Sequence, residues 1–352
     1  MLMLGIETTC DETSAAVVRE GREVLSNVVA SQVDLHAKFG GVVPEVAARA
    51  HLESLNVMVQ EALQEAGVTR PSEELSGVAV SHCPGLIGCL LVGVAGAKGY
   101  AFGWGVPLVG VNHVQAHLYS VMLGEKGEIE NRKLKIEKRE VEFPAVGLVM
   151  SGGHSSLYHV HSFDNLRRIG ATQDDAVGEA FDKVAAILQM GYPGGPLIDA
   201  LSTEGDPRAI KFPAGHLEKD SLNFSFSGLK TAVLYYVNGK KGRERDASWM
   251  SRQQKADVAA SFQRTAAEML VEKLRRAAGR YETRSIIVGG GVSANRGIRA
   301  AVAELGRELG VPVHVPAMKY TTDNGAMVAG MGTEMLRKGR VAGMGLETVA
   351  TV

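Results

Sequence analysis

The sequence predicts an α/β protein built from two similar lobes, and three observations predict it. The first is composition. The chain has 352 residues, of which 45% are hydrophobic and 22% charged, so it carries enough apolar material for about two buried cores. The second is an internal repeat. The segment FPAVGLVMSGGHSSLYHV mirrors the opening MLMLGIETTCDETSAAVV: Gly5 corresponds to Gly147, and Ser14 and Ser156 each lie nine residues further on. The copies stand 142 residues apart, too far for a solenoid period and suited to two homologous lobes. The third is that short apolar runs alternate with helical patterns along both halves.

Taken in order, LMLGIET reads as a strand, TCDET as a polar turn and SAAVV as a second strand. Together they form a hairpin with a chemically loaded turn. Residues 43–67 have helical periodicity and end at Gly67 as a C-cap. The strand GVAVSH follows, then a glycine-bearing helix to about Trp104, the strand PLVGV and the helix NHVQAHLYSVM. Val78 to Ala97 contains no Asp, Glu, Lys or Arg and imitates a membrane span. Pro84-Gly85 would break such a span near its start, so the segment is expected to be a buried helix from about Leu86.

Residues 125–142 are a dense run of mixed charge, read as a solvated hairpin or linker, or as an RNA-backbone contact through Lys133, Lys135, Lys138 and Arg139. The loop GKKGRER at 239–245 carries the same two readings. The second lobe begins at Phe143. It continues with the helices DDAVGEAFDKVAAILQM and ADVAASFQRTAAEMLVEKLRRAAG, the strand SIIVGGG, the helix ANRGIRAAVAELGRELG and the strand VPVHVPA. A last helix runs from about Asn324 to Lys338. The expected division is a first lobe of residues 1–122 completed by the C-terminal helix (about 325–352), a charged linker at 123–142 and a second lobe at 143–324.

Duplicated lobes of this kind resemble the actin-like ATPase superfamily, two RNase H-like lobes around a nucleotide cleft. In that fold the turns Thr8–Ser14 and Ser151–Ser156 would face each other. Backbone N–H groups in such turns form anion-binding concavities, which makes both candidate phosphate clamps.

Charge and cysteine content narrow the class. Net charge is −1, so no global field draws the chain to nucleic acid, and such a partner would need a local basic patch or a helper protein. The cysteines, Cys10, Cys83 and Cys89, are odd in number and form no CxxC pair, which points to a reducing compartment. The opening residues lack a basic n-region and turn polar early, unlike a signal peptide. A cytoplasmic, non-membrane location is expected.

The most specific local feature is Asn112-His113-Val114-Gln115-Ala116-His117. With Asn112 as N-cap, His113 and His117 are i and i+4 on one helix face and near enough to share a metal. A zincin peptidase needs HExxH; Val114 stands where the glutamate would be, which disfavours that chemistry. A third ligand is offered by Asp323 in Tyr320-Thr321-Thr322-Asp323-Asn324-Gly325, where the last helix begins. A plain helix N-cap explains Asp323 equally well, and spacing alone leaves both readings standing. A His, His, carboxylate set suits Fe(II) or Zn. Gly289-Gly290-Gly291 follows a strand and opens a helix, a turn that lets a nucleotide lie close to backbone. Asp182 and Asp199, near GEAFDK and PGGP, are candidate acceptors for ribose hydroxyls, or ordinary helix-surface carboxylates.

In order, ETTCDETS, NHVQAH, SGGHS, GEAFDK, YPGGP, FSFSGLKTAV, GGGVSAN and TDN resemble the Gcp/TsaD family, the tRNA adenosine threonylcarbamoyltransferases once misnamed O-sialoglycoprotein endopeptidases. The match spans Leu4 to about Gly332, and FSFSGLKTAV looks like the bacterial form. The resemblance implies transfer of a threonylcarbamoyl group from threonylcarbamoyl-AMP to the exocyclic amine of an adenosine beside a tRNA anticodon. It implies one bound iron, Fe(2+), with zinc or magnesium as alternatives, held by His113, His117 and Asp323. It implies substrate contacts from Val149, Met150, Ser151, Gly152 and Gly153, and from Asp182, Gly195, Asp199 and Asn295. The implied partners are tRNA, a TsaB-like non-catalytic paralogue, a TsaE-like small ATPase and, upstream, a TsaC-like adenylate-forming enzyme. Archaeal relatives carry a tyrosine two residues before the SGG serine, also a metal ligand; Val149 stands there in this chain. Asp11 and Glu12 in the first turn are candidates to orient substrate or take a proton, or else turn-stabilising carboxylates. A small-molecule kinase or carbamoyltransferase of the same superfamily, and a catalytically silent scaffold, are the competing readings; HxxxH with TDN opposes the first, and intact SGG and GGG turns oppose the second.

Overall fold

The computed structural model describes residues 1–125, 140–214, 220–239 and 246–351. Lys133, Lys135, Lys138 and Arg139, and the loop residues 240–245, lie outside the described residues. The chain divides into two compact units, Met1–Glu140 with Pro316–Val352, and Val141–Val315. The first unit thus resumes at Pro316, ahead of the boundary near 324 expected from sequence.

In the first unit β1 (Leu2–Glu7), β2 (Glu12–Arg19) and β3 (Glu23–Ser31) form an antiparallel meander. Helices α1 (Val33–Ala37), α2 (Pro44–Glu65) and α3 (Pro71–Glu74) lead to β4 (Gly77–Cys83), then α4 (Ile87–Trp104), β5 (Leu108–Asn112) and α5 (His113–Tyr119). The sheet order is β3-β2-β1-β4-β5, with β1, β4 and β5 parallel. All but the first residue of β1 is buried, as expected of a strand covered on both faces. Its side chains alternate. Leu4 and Ile6 join Leu55, Val59, Val94 and Ala97 of α2 and α4 in one core, while Gly5 faces the chain's last helix.

The second unit repeats this plan. It contains β6 (Ala145–Met150), β7 (Ser155–Ser162), β8 (Asn165–Ala171), α6 (Val177–Ile187), α7 (Gly194–Ser202), α8 (Ser227–Asn238), α9 (Arg252–Arg280), β9 (Ser285–Gly289), α10 (Arg296–Leu309) and β10 (Val313–His314). Its sheet order, β10-β9-β6-β7-β8, is the same meander joined to two parallel strands. The register repeats too: Glu7 pairs with Ser14, and Val149 pairs with Ser156. Each unit has its own apolar core, centred in the second on Phe181, Phe224, Phe226 and Phe262.

The last helix, α11 (Gly325–Arg337), belongs to the first unit. It crosses β1 at backbone distance: a Cβ on Gly5 would sit 2.2 Å from the Gly325 carbonyl oxygen and 2.5 Å from the Ala329 nitrogen. Ser14 Oγ accepts from Gly325 N at 2.8 Å, tying the start of α11 to β2. This contact brings the residues just before α11 to the end of the sheet where β5 runs into α5.

Candidate functional site

At that end of the first unit, Asn112 closes β5 and caps α5, its Oδ1 accepting from Gln115 N at 3.0 Å. The cap fixes the helix phase and sends His113 and His117 to one side, with ring centroids 4.7 Å apart. The cap of α11 is Asn324, which accepts from Met327 N at 3.1 Å. Asp323 is therefore not the capping residue. Its Oδ1 lies 3.1 Å from His117 Nε2 and 3.7 Å from His113 Nε2. One ligand atom from each of the three falls within 4.8 Å of the others. Both ring nitrogens of His117 are buried without a hydrogen-bond partner. Buried polar atoms are seldom left so, and two imidazoles with a carboxylate aimed at one point are a donor set for a divalent transition metal. The residues fit such an ion.

Behind His113 lies a polar layer formed by Glu7 and Thr9 of the ETTCDETS segment, to which sequence alone assigns no such role. His113 Nδ1 is 2.9 Å from Glu7 Oε2 and 3.2 Å from Thr9 Oγ1. Glu7, fully buried, accepts from Ser81 Oγ at 2.6 Å and from Thr9 N at 2.7 Å. Burial pushes the His113 pKa down, but the carboxylates of Glu7 and Asp323 outweigh it and lift it to about 9. Burial pushes Glu7 up, and His113 outweighs that, holding Glu7 below the usual carboxylate range.

The first turn is held from below. His51 Nε2 donates to the Cys10 carbonyl at 3.0 Å, and Thr13 Oγ1 sits 2.7 Å from His51 Nδ1. Asp11 and Glu12 follow, both partly buried. Burial, then Asp323 and Asp11, push Glu12 up to about 10, so at neutral pH in the metal-free protein it is a carboxylic acid. The hydroxyl of Ser14 is committed within the unit. It donates to Val28 O at 2.7 Å and accepts from Gly325 N, so it anchors α11.

In the second unit Val149–Gly153 run out of β6 and Asn295 follows β9, while Asp182, Gly195 and Asp199 lie on α6 and α7. Val149 and Met150 are buried in β6. Ser151 N donates to His154 O at 2.8 Å, closing the turn, while Gly152 and Gly153 face open space. Gly290 has φ +88 and packs on Met150, where a Cβ would stand 2.3 Å from the carbonyl oxygen; only glycine serves there. Asp182 Oδ1 accepts from Gly194 N at 2.7 Å. Asp199 holds Arg296, with Oδ2 2.8 Å from Nε and Oδ1 accepting from Arg296 N at 3.2 Å. Asn295 caps α10 through Ile298 N at 3.0 Å and donates to Gln263 Oε1 at 2.6 Å. Gly195, in the first turn of α7, leaves open space where a Cβ would be. The two aspartates and the asparagine thus have partners within the unit, and Arg296 and Gln263 were not foreseen.

Helix α4 departs from the buried helix expected. One side, with Cys89, Leu90, Val94 and Ala97, is buried, but Ile87 is 49%, Leu91 55% and Phe102 79% exposed. Among the described residues it is the one helix long and apolar enough to cross a membrane.

A family model described as "TsaD: tRNA N6-adenosine threonylcarbamoyltransferase" matches residues 23–330. The tRNA N6-adenosine threonylcarbamoyltransferase of Geotalea daltonii is 45% identical over 99% of this chain and 96% of its own length. That of Geobacillus kaustophilus is 47% identical over 98% of this chain and 94% of its own. Among solved structures, HypF from T. kodakarensis aligns over 96% of this chain and 48% of its own, at TM-score 0.59 and 15% identity. The Acidaminococcus fermentans (R)-2-hydroxyglutaryl-CoA dehydratase component A aligns over 96% of this chain and 99% of its own, at TM-score 0.51 and 15% identity. At such low identity these two speak to fold alone, and they agree with an actin-like ATPase fold. The chain belongs to the tRNA N6-adenosine threonylcarbamoyltransferase family.

Proposed function

We propose that the chain takes the threonylcarbamoyl group from threonylcarbamoyl-AMP and transfers it to the exocyclic amine of the adenosine beside the anticodon, in tRNAs reading codons that begin with adenine. The amine nitrogen bonds to the carbamoyl carbon, the bond from that carbon to the phosphate oxygen breaks, AMP leaves, and the amine gives up a proton. The donor is already activated, so the protein's work is to position the amine and to stabilise charge on the carbonyl oxygen. Family membership supports transfer to tRNA adenosine. The observation that carries the finer reading is the convergence of His113, His117 and Asp323 in a chain of this family.

These three residues would hold one divalent ion, Fe(2+) in our reading and zinc or magnesium as alternatives. Such an ion supplies Lewis-acid polarisation of a carbonyl or phosphoryl oxygen. Within the SGG turn, Gly152 and Gly153 border open space and offer their backbone to the donor's anionic end. Burial, Asp323 and Asp11 raise Glu12 in the metal-free chain; an ion on Asp323 would offset part of that rise, so Glu12 stays a candidate to take the amine proton. Asp11 remains the candidate to orient the substrate.

The setting we propose is cytoplasmic, with a TsaC-like enzyme supplying the donor and TsaB-like and TsaE-like proteins as partners. The exposed apolar face of α4 supports a protein partner on the first unit. The test is reconstitution: the chain, its two bacterial partners and unmodified tRNA are given synthetic threonylcarbamoyl-AMP, and the tRNA is digested and its nucleosides weighed. Modified adenosine at the anticodon-adjacent position is expected. None, while a family member of known activity succeeds alongside, refutes the proposal.

A further inference from the structure

We infer that Glu7 is a positioning residue for the metal centre: it orients His113 as an Nε2 ligand and sets a fully buried negative charge behind it. The inference rests on the metal reading above and adds a residue that the ligand set does not contain. Glu7 touches no substrate atom and no metal; it acts through His113.

Three observations carry it. The first is the tautomer. Nε2 of His113 is the nitrogen turned toward Asp323, at 3.7 Å, and Nδ1 is turned toward Glu7, at 2.9 Å. A carboxylate only accepts, so the contact keeps the proton on Nδ1 and makes Nε2 the nitrogen that gives up its proton when an ion binds. The second is rigidity. Glu7 ends β1 with no exposed surface, and its two oxygens are held by Ser81 Oγ at 2.6 Å and Thr9 N at 2.7 Å. It cannot swing away without abandoning both. The third is charge. An ion at this site brings two positive charges into a buried pocket, and Asp323 and Glu7 together bring two negative charges. Glu7 is the one of these two carboxylates with no exposed surface, so its removal takes away the negative charge that solvent screens least. The two histidines are therefore unequal: His117 meets Asp323 through Nε2 but has nothing behind it at Nδ1, whereas His113 is held from behind by Glu7.

One alternative is present in the same geometry. Thr9 Oγ1 also reaches His113 Nδ1, at 3.2 Å, and would orient the ring without supplying charge. The experiment separates the two. Zn(II) is titrated into the metal-stripped full chain in competition with a chromophoric chelator, for the natural sequence and for Glu7→Gln, Thr9→Val and His113→Ala. Outer residues of this kind typically tune affinity by about 10–100-fold, and Glu7→Gln is expected to weaken Zn(II) binding within that range, with a smaller loss for Thr9→Val. Zn(II) affinity unchanged in Glu7→Gln, or a loss in Thr9→Val equal to it, overturns the inference while leaving the metal reading intact. Absence of His113-dependent binding in the natural chain overturns both. Nitrogen-15 NMR of the zinc-loaded natural chain is independent of whether Glu7→Gln folds. It should show a downfield, exchange-protected proton on Nδ1 of His113; a proton on Nε2 instead contradicts the inference.

Discussion

Gly5→Ala places one methyl group where β1 and α11 meet. The added carbon would stand 2.2 Å from the Gly325 carbonyl oxygen, 2.5 Å from the Ala329 nitrogen and 2.8 Å from the Ala329 Cβ. None of these atoms is the far end of a flexible side chain, so relief requires α11 to move off the sheet. Overpacking of this kind costs about 1–3 kcal/mol, and rigid backbone neighbours put Gly5→Ala near the top of that range. For a unit of this size each kcal/mol is worth roughly 2–4 °C, so about 3 kcal/mol lowers the melting temperature by roughly 6–12 °C. The functional consequence is larger than the thermal one. Asp323 stands two residues before α11 and meets His117 at 3.1 Å, so a shift of the helix start opens the ligand triangle, and Zn(II) affinity should fall with stability. Gly103→Ala is the control. That glycine lies inside α4, and a methyl group there would have nothing within 4 Å, so alanine should be neutral or gain up to about 1 kcal/mol. Both variants are read by calorimetric melting and chelator competition. A Gly5→Ala protein that melts and binds Zn(II) like the Gly103→Ala control would refute the strand–helix approach as the device that places Asp323.

Other substitutions probe separate parts of the molecule. Glu12 is raised to about 10 by burial, Asp323 and Asp11, while in the unfolded chain it titrates near the ordinary value of about 4.3. The folded state thus binds a proton that the unfolded state loses, and the metal-free protein forfeits stability as pH rises from about 4.3 toward 10. Glu12→Gln, neutral throughout, should out-melt the natural metal-free chain at pH 8, with the gap closing by pH 5; a gap that is constant with pH would contradict this. On α4, Leu91→Asp and Phe102→Asp should weaken binding of the TsaB-like partner by at least about 30-fold if these side chains are interface anchors. Their melting temperatures should stay unchanged, because both side chains are exposed. Undiminished binding in ultracentrifugation would remove this face from the interface.

The parts of the fold legible in the sequence are those carried by local pattern. The Gly5/Gly147 and Ser14/Ser156 repeat encodes a hairpin register, and the structure pairs Glu7 with Ser14 and Val149 with Ser156 accordingly. Strands β3 and β8 escape such a reading because each is only partly buried, with exposed positions breaking the apolar run. Helices α7 and α8 begin at PGG and SG, residues that signal turns rather than helix interiors. Helix α4 is apolar on every side apart from Lys98, so no periodicity distinguishes its buried side from its exposed one. At the site, Asn112 is readable as a cap because capping is a short-range effect. Asp323 is ambiguous in sequence because two adjacent residues, Asp323 and Asn324, can both cap a helix; the structure gives the cap to Asn324. Glu7 opens ETTCDETS, yet its role is unreadable in sequence for a different reason. It closes an apolar strand, and its partner His113 lies 106 residues away. Asp199 looks available in sequence, but α10 brings Arg296 against it.

The central question is whether the ion held by His113 and His117 and the transfer to tRNA belong to one site. Metal content and modified adenosine should be measured on the same preparations of the natural chain and of a His113→Ala, His117→Ala double variant, with tRNA and partner proteins supplied. If they share a site, the double variant loses bound metal and transfer together while keeping its fold. A folded, metal-free double variant with full transfer activity would contradict it.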